Sequence, residues 1–305
     1  MLQTNRSPFV FLTLCLISIC WTGAFGQNNR SAVSLTGVDT ASCTVPDPCR
    51  TFDAAIFRTN PGGEIVVLSS AGYGPFTVNK SVSIISPGGI HAALAPTTGA
   101  AITVDGSAID VFLRNLWINS LGATDGIKVL NADQVHVENC TIARFSNGIN
   151  SVPGVDWLSV LDSFVRMNNI GINLSSGTGR TSRVTVDRTR LENNNEGIYV
   201  NPGSSGVVDS MIRESVINSG GNGIHVAGSQ TSHTNVESCA FVHNANGALI
   251  GGGDATRVIR VSQSYIANNY YGVYSQGGDD LRSFGNNRLT GNLSDGNFTS
   301  TIALR

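Results

Sequence analysis

A glycine recurs along this chain at Gly126, Gly148, Gly171, Gly197, Gly223, Gly247 and Gly272, at intervals of 22, 23, 26, 26, 24 and 25 residues. From the second repeat on, other columns keep step with it. Eleven residues before the glycine stand Val137, Val160, Val186, Ile212, Val236 and Val261. Eight before it stand Cys140, Ser163, Thr189, Ser215, Cys239 and Ser264, and six before it Ile142, Val165, Leu191, Ile217, Phe241 and Ile266. Several columns aligned over a fixed period of this length are the signature of a solenoid.

The content of each repeat selects the kind of solenoid. Val135-His136-Val137-Glu138, Cys140-Thr141-Ile142 and Gly148-Ile149-Asn150 are three short runs with period-two alternation, so Val135 and Val137 point inward while His136 and Glu138 point outward. No helical period of 3.6 is present, and a coil of this length has no room for a crossover helix. The chain must therefore wrap in one direction, and parallel crossovers are right-handed. The expected fold is all-β: a single-stranded right-handed parallel β-helix with three strands per coil. Its first coil is expected over 63–86, from the runs 64–68, 76–78 and 82–85. A short amphipathic helix over 50–60, capped by Thr51 and apolar at Phe52, Ala55 and Ile56, is expected to cover the open end. Asn168, Asn194, Asn244 and Asn269 share a turn column, where asparagine tolerates left-handed backbone and can bond its counterpart one coil away.

Residues 1–26 have the pattern of a secretory signal: Arg6, an apolar run over 8–21 too short to span a bilayer comfortably, and Ala24-Phe25-Gly26 before the cut. The expected division is 1–26 signal peptide, 27–62 N-terminal segment, 63–292 parallel β-helix and 293–305 tail, with a secreted or periplasmic product and no membrane partner after cleavage. In that oxidising setting Cys43 and Cys49, six apart in a Pro-rich loop, are expected to form a disulfide. Cys140 and Cys239 lie in one column four coils apart, roughly 19 Å at the spacing of strands. That is too far to bridge, so both are expected to be buried free thiols. With net charge −2 and 13% charged residues in 305, the chain carries no footprint for nucleic acid.

The coils resemble the right-handed parallel β-helix superfamily of pectate lyases, polygalacturonases, alginate epimerases and phage tailspikes, over roughly residues 35–295. More narrowly, the chain resembles secreted bacterial β-helix-repeat proteins of unassigned function. The stretches that carry this are Asp47-Pro48-Cys49-Arg50-Thr51-Phe52, Gly62-Gly63-Glu64-Ile65, Val137-Glu138-Asn139-Cys140-Thr141-Ile142 and Phe284-Gly285-Asn286-Asn287-Arg288. The sequence departs from the enzymes of that superfamily where their chemistry sits. It has no Arg-x-Pro-x-x-Arg, no Gly-His-Gly, no Arg-Ile-Lys and no Asp-Pro-His, so no catalytic residue carries over.

The resemblance implies that catalytic groups, where present, stand on the outer face of the first strand of each coil. There Asp187, Arg213 and Glu237 are expected on successive coils. Asp187 and Glu237 would lie about 9.6 Å apart, at the upper end of the separation used by inverting glycosidases. Carboxylates so placed could instead hold Ca²⁺ against a uronate while a base removes a proton. The same −/+/− alternation is also what a solvated sheet face uses to avoid like-charge contacts. The outer column of the third strand reads Lys128, Asn150, Asn173, Tyr199, His225, Leu249 and Tyr274. Asn150, Asn173, Tyr199, His225 and Tyr274 would suit sugar rings by stacking and hydrogen bonding. His225, His233 and His243 have no metal-site spacing, and no metal or cofactor is expected unless the protein is a lyase that needs Ca²⁺. Two functions follow. One is an exported β-helix that binds polysaccharide or a cell-surface glycan without a recognisable catalytic set. The other is a polysaccharide lyase or glycoside hydrolase acting on uronate-containing polymer. A tailspike-like trimer is a third arrangement.

Overall fold

Three short strands joined by sharp corners make each coil. In the coil that starts at Val155, Val155–Leu161 lies in a first sheet, Phe164–Arg166 in a second and Ile170–Leu174 in a third. The next coils repeat this as Thr181–Asp187, Arg190–Glu192 and Glu196–Val200, then as Val207–Arg213, Val216–Asn218 and Asn222–Val226. Each strand pairs in parallel with its counterpart one coil on. The computed structural model describes residues 27–151, 155–203, 205–228, 230–251, 256–275 and 280–303. The expected signal segment, with Cys15 and Cys20, lies outside the described residues.

The inward columns are those of the repeat. Val137, Val160, Val186, Ile212, Val236 and Val261 stack behind the first sheet, and Ile142, Val165, Leu191, Ile217, Phe241 and Ile266 behind the second, all fully or almost fully buried. Burying one such side chain stabilises by about 1.5–3 kcal/mol. Along one continuous core these contributions hold each coil to its neighbours.

The corners turn on left-handed residues. Between the first and second sheets these are Asn115, Asn139, Asp162, Arg188, Glu214, Ser238 and Gln263, with φ between 45° and 59°. Between the second and third they are Arg144, Met167, Asn193, Ser219, His243 and Asn268. Each left-handed residue costs roughly 1–2 kcal/mol, and at most corners the next residue offsets that with buried hydrogen bonds. After the first corner comes the Cys/Ser/Thr column: Ser163, Thr189, Ser215 and Ser264 donate back to the carbonyl two residues before, and accept a backbone N–H from the coil before. After the second corner comes the asparagine column. Asn168 Nδ2 donates to Asn194 Oδ1 (3.0 Å), Asn244 Nδ2 to Asn269 Oδ1 (2.9 Å) and Asn269 Nδ2 to Asn292 Oδ1 (2.9 Å).

Three expectations need correcting, and the glycine column finds its reason. The left-handed residue is the one before the ladder asparagine, because the asparagine itself must point inward to bond along the stack. The recurrent glycines have no left-handed φ. A Cβ on Gly197 would stand 2.5 Å from the Gly223 carbonyl oxygen, so close backbone approach alone demands glycine there. The run Val82–Ile85 belongs to the next coil, pairing with Gly63–Val66 in the first sheet, while Ala71–Gly72 supplies the first coil's second-sheet strand. The third-sheet column also slips by one residue near its end: His225 pairs with Ile250, and Leu249 with Ile224, because the coil that starts at Ser232 takes an extra residue at the turn before Gly247.

At the start of the stack, Asn28–Val33 pairs in parallel with Thr59–Val67. The helix Phe52–Arg58 caps this end. Thr51 accepts from the Ala54 N–H, and Phe52, Ala55 and Ile56 are buried, with the Phe52 ring 4.6 Å from Phe76 and 5.3 Å from Tyr73. Cys43 and Cys49 form the disulfide, and Cys140 and Cys239 are buried free thiols.

Candidate functional site

The outer face of the first sheet carries three outward columns, and register fixes them. Asp187, Arg213 and Glu237 do stand side by side on successive strands. The Asp187 side chain, however, is only 1% exposed on a face expected to be solvated. Its left-handed neighbour Arg188 folds back over it, and Arg213 reaches across from the next coil. Both guanidinium groups donate to Asp187 Oδ2, at 2.8 and 2.9 Å, while Oδ1 is buried without a partner. Arg188 also grips Asp162 with Nε at 2.8 Å and Nη2 at 2.9 Å. These hydrogen bonds hold the Asp162 carboxyl below its usual range and push the Arg188 guanidinium upward. No ion pair joins Arg213 to Glu237 among the described residues.

A Ca²⁺ ion takes six to eight oxygen ligands. Among the described residues no three His, Cys, Asp or Glu side chains converge on one point, and the most buried carboxylate of this face already serves two cations. These residues do not fit such a site.

The column nearest the start of each first-sheet strand holds chemistry that sequence reasoning missed. Trp157, Arg183, Asp209 and His233 are register partners on four successive coils. Trp157 is half exposed, and the Arg183 guanidinium lies 4.8 Å from its ring centroid. The neighbouring Asp209 is diverted to His233, Oδ1 to Nδ1 at 2.7 Å, with both side chains about 40% exposed. Arg183 is therefore left without a carboxylate partner among the described residues, whereas Arg114, Arg180, Arg188 and Arg213 on this face are all ion-paired. Beside it opens a shallow hollow of about 200 Å³ floored by Thr185, Met211 and Asn235.

On the third sheet the amides form a relay. Asn150 Nδ2 donates to the buried Asp125 Oδ1 (2.9 Å), and Asn173 Nδ2 to Asn150 Oδ1 (3.1 Å). Tyr199 meets His225 edge-on at 5.2 Å, with His225 Nδ1 3.4 Å from Glu196 Oε1. Tyr274 stacks on Tyr271 at 5.0 Å. The structure thus separates the third-sheet residues into an amide run, a Tyr–His pair and a tyrosine cluster.

The chain superposes on the crystal structure of pectate lyase Pel9A with a TM-score of 0.69 and 15% identity, over 92% of this chain and 79% of that one. Its fold is the pectate-lyase-like right-handed parallel β-helix. The GH136 lacto-N-biosidase from Eubacterium ramulus matches at 10% identity over 90% of this chain and 67% of that one. Its TM-score is 0.36. No protein-family model matches the chain, and no curated protein matches it at a significant level.

Proposed function

We propose that the protein is an exported polysaccharide-binding β-helix whose contact surface is the outer face of the first sheet, between Trp157 and Asn235. The observation that carries this is Arg183: a guanidinium with no carboxylate partner among the described residues, laid on a half-exposed indole beside an open hollow. An indole offers a sugar ring an apolar stacking face, and a free guanidinium recognises a carboxylate. The preferred ligand is accordingly an acidic, uronate-bearing polymer, a cell-surface or wall glycan. The likeness in fold to a pectate lyase supports the same class, and the disulfide suits an exported protein.

The test is binding of the protein to immobilised polygalacturonate, alginate and a neutral glucan. Arg183→Gln and Trp157→Ala are each expected to weaken binding to the acidic polymers at least tenfold. A wild-type protein that binds none of these polymers would overturn the reading.

A second reading rests on the Asp209–His233 pair. A carboxylate 2.7 Å from Nδ1 orients an imidazole so that Nε2 can take a proton. This favours proton abstraction from a bound uronate, as in a lyase. Formation of an unsaturated product from any uronate polymer, abolished by His233→Gln, would make the protein an enzyme. Product that persists in His233→Gln would place the chemistry elsewhere.

A further inference from the structure

The tryptophan Trp117 stands on another face, the outer side of the second sheet, and is 40% exposed. It occupies the strand Leu116–Asn119, in register with Ala93 on one side and Thr141 on the other. Nothing in the fold requires an indole at an outward position whose register partners are alanine and threonine.

The surroundings of Trp117 are built. The loop before Ala92–Leu94 closes on itself: the Ile90 N–H donates to the Pro87 carbonyl (3.2 Å) and Ser86 Oγ to the Ile90 carbonyl (2.9 Å), with Gly89 left-handed at φ 84°. A line of amides ties this loop to the corner between the first and second sheets. Asn115 Nδ2 donates to the Ser86 carbonyl (2.6 Å), and Asn139 Nδ2 to Asn115 Oδ1. The His91 N–H is anchored on Ser70 Oγ (2.9 Å). The result is a hollow of about 240 Å³ whose walls include His91, Asn115, Trp117, Asn139 and Thr141. The His91 and Trp117 rings lie 5.2 Å apart, tilted by 52°.

We propose that this hollow binds one ring of a neutral sugar. No carboxylate, guanidinium or ammonium lines it, so it offers nothing to an acidic ligand. Its polar side chains are two amides, a hydroxyl and an imidazole, which match sugar hydroxyls in both donor and acceptor senses. The indole supplies the apolar stacking face. The tilt between the two rings makes a wedge, which suits a puckered ring, and a flat base would want parallel walls. This site is independent of the first-sheet reading, and either can fail alone.

Trp117 is its own reporter. In Trp157→Phe, Trp117 is the tryptophan remaining among the described residues, and its emission is followed while neutral trisaccharides of glucose, galactose, mannose and xylose are added. At least one is expected to give a saturable change. His91→Ala and Asn139→Ala are each expected to weaken that binding at least tenfold, while binding of polygalacturonate to the first-sheet face stays within twofold of wild type. Calorimetry on Trp117→Ala is expected to show no binding, with a melting curve demonstrating that the variant is folded. Trp117→Phe, which keeps a ring, is expected to retain part of the affinity. The proposal is overturned if no trisaccharide changes the emission, if Trp117→Ala binds as wild type does, or if in Trp157→Phe adenosine or galacturonate oligomers change the Trp117 emission at lower concentration than every neutral sugar.

Discussion

The Asp187 carboxylate occupies a position that strand alternation sends to solvent, yet Arg188 and Arg213 bury it. Nothing in the spacing of the sequence shows this, because it depends on the left-handed backbone at Arg188 that turns that side chain back. Asp187→Asn is expected to lower stability by about 1.5–3 kcal/mol, the range for hydrogen bonds to charged groups. Both arginines are half exposed and would regain water, so the loss stays below that of a fully buried pair. Glu237→Gln, one coil away from Arg213 and with no ion pair, should stay within about 0.5 kcal/mol. Thermal melts of the two variants, read side by side, check both values. The thiols were more legible, since their column is otherwise serine and threonine. Burial pushes Cys140 up to about 12 and Cys239 up to about 11. In the unfolded chain they ionise near 9. Their contribution is therefore fully present below about pH 9 and is lost as pH rises from there through 11 and 12, because between those limits the unfolded state gains thiolate while the folded state does not. Cys140→Ser and Cys239→Ser should be tolerated within about 1 kcal/mol, because a hydroxyl there can donate to the same carbonyl as Ser163 and Ser215 do. The double serine variant should also lose less stability than wild type between pH 9 and 11, as measured by denaturant midpoints.

Strands and corners obey two rules, and only one of them shows in a sequence. The inward apolar columns and the recurrent glycine are visible because each demands one residue type. The left-handed corner positions accept Asn, Asp, Arg, Glu, Ser and Gln alike, so they leave no pattern. The row Trp157–Arg183–Asp209–His233 was missed for a related reason: its members share no chemistry, and only register brings them together. The glycine column then makes a sharp prediction. Gly197→Val, and even Gly197→Ala, should cost a few kcal/mol, since the first side-chain carbon meets the Gly223 carbonyl at 2.5 Å and Ile217 Cγ2 at 2.8 Å. Gly89→Ala, with left-handed φ but open space around it, should cost only about 1 kcal/mol. If Gly197→Ala melts with wild type, the coils do not approach as closely as described. Gly220 interrupts the asparagine ladder between Asn194 and Asn244, and filling the gap by repeat consensus looks attractive. A Cβ at Gly220 would run into the Asn194 carbonyl. Gly220→Asn is therefore expected to lower the melting temperature, and a rise would show that the ladder can close.

For the molecule as a whole, the fold was the most legible feature, because a solenoid writes its period into the chain coil after coil. The two surfaces proposed to bind sugars were the least legible, because each is assembled from segments that only the register of the coils brings together. The same architecture governs stability. Each coil touches only its neighbours, so an end that loses its cover should open before the middle does. Phe52 is the test of this. Its ring is wholly buried under the helix Phe52–Arg58, against Tyr73 and Phe76 of the first coil. Phe52→Ala removes that contact at a cost of about 3–5 kcal/mol. In a globular domain with one cooperative transition, such a loss would lower protection everywhere. Here hydrogen exchange is expected to speed up in Thr59–Val67, Phe76–Val78 and Ala100–Asp105, while Thr181–Asp187 and Val207–Arg213 keep wild-type protection. The freed strand edges should also favour self-association, seen as a concentration-dependent rise in scattering mass. Uniform loss of protection along the chain would show that the stack unfolds as one unit, and that its helix is not an end cap in the energetic sense.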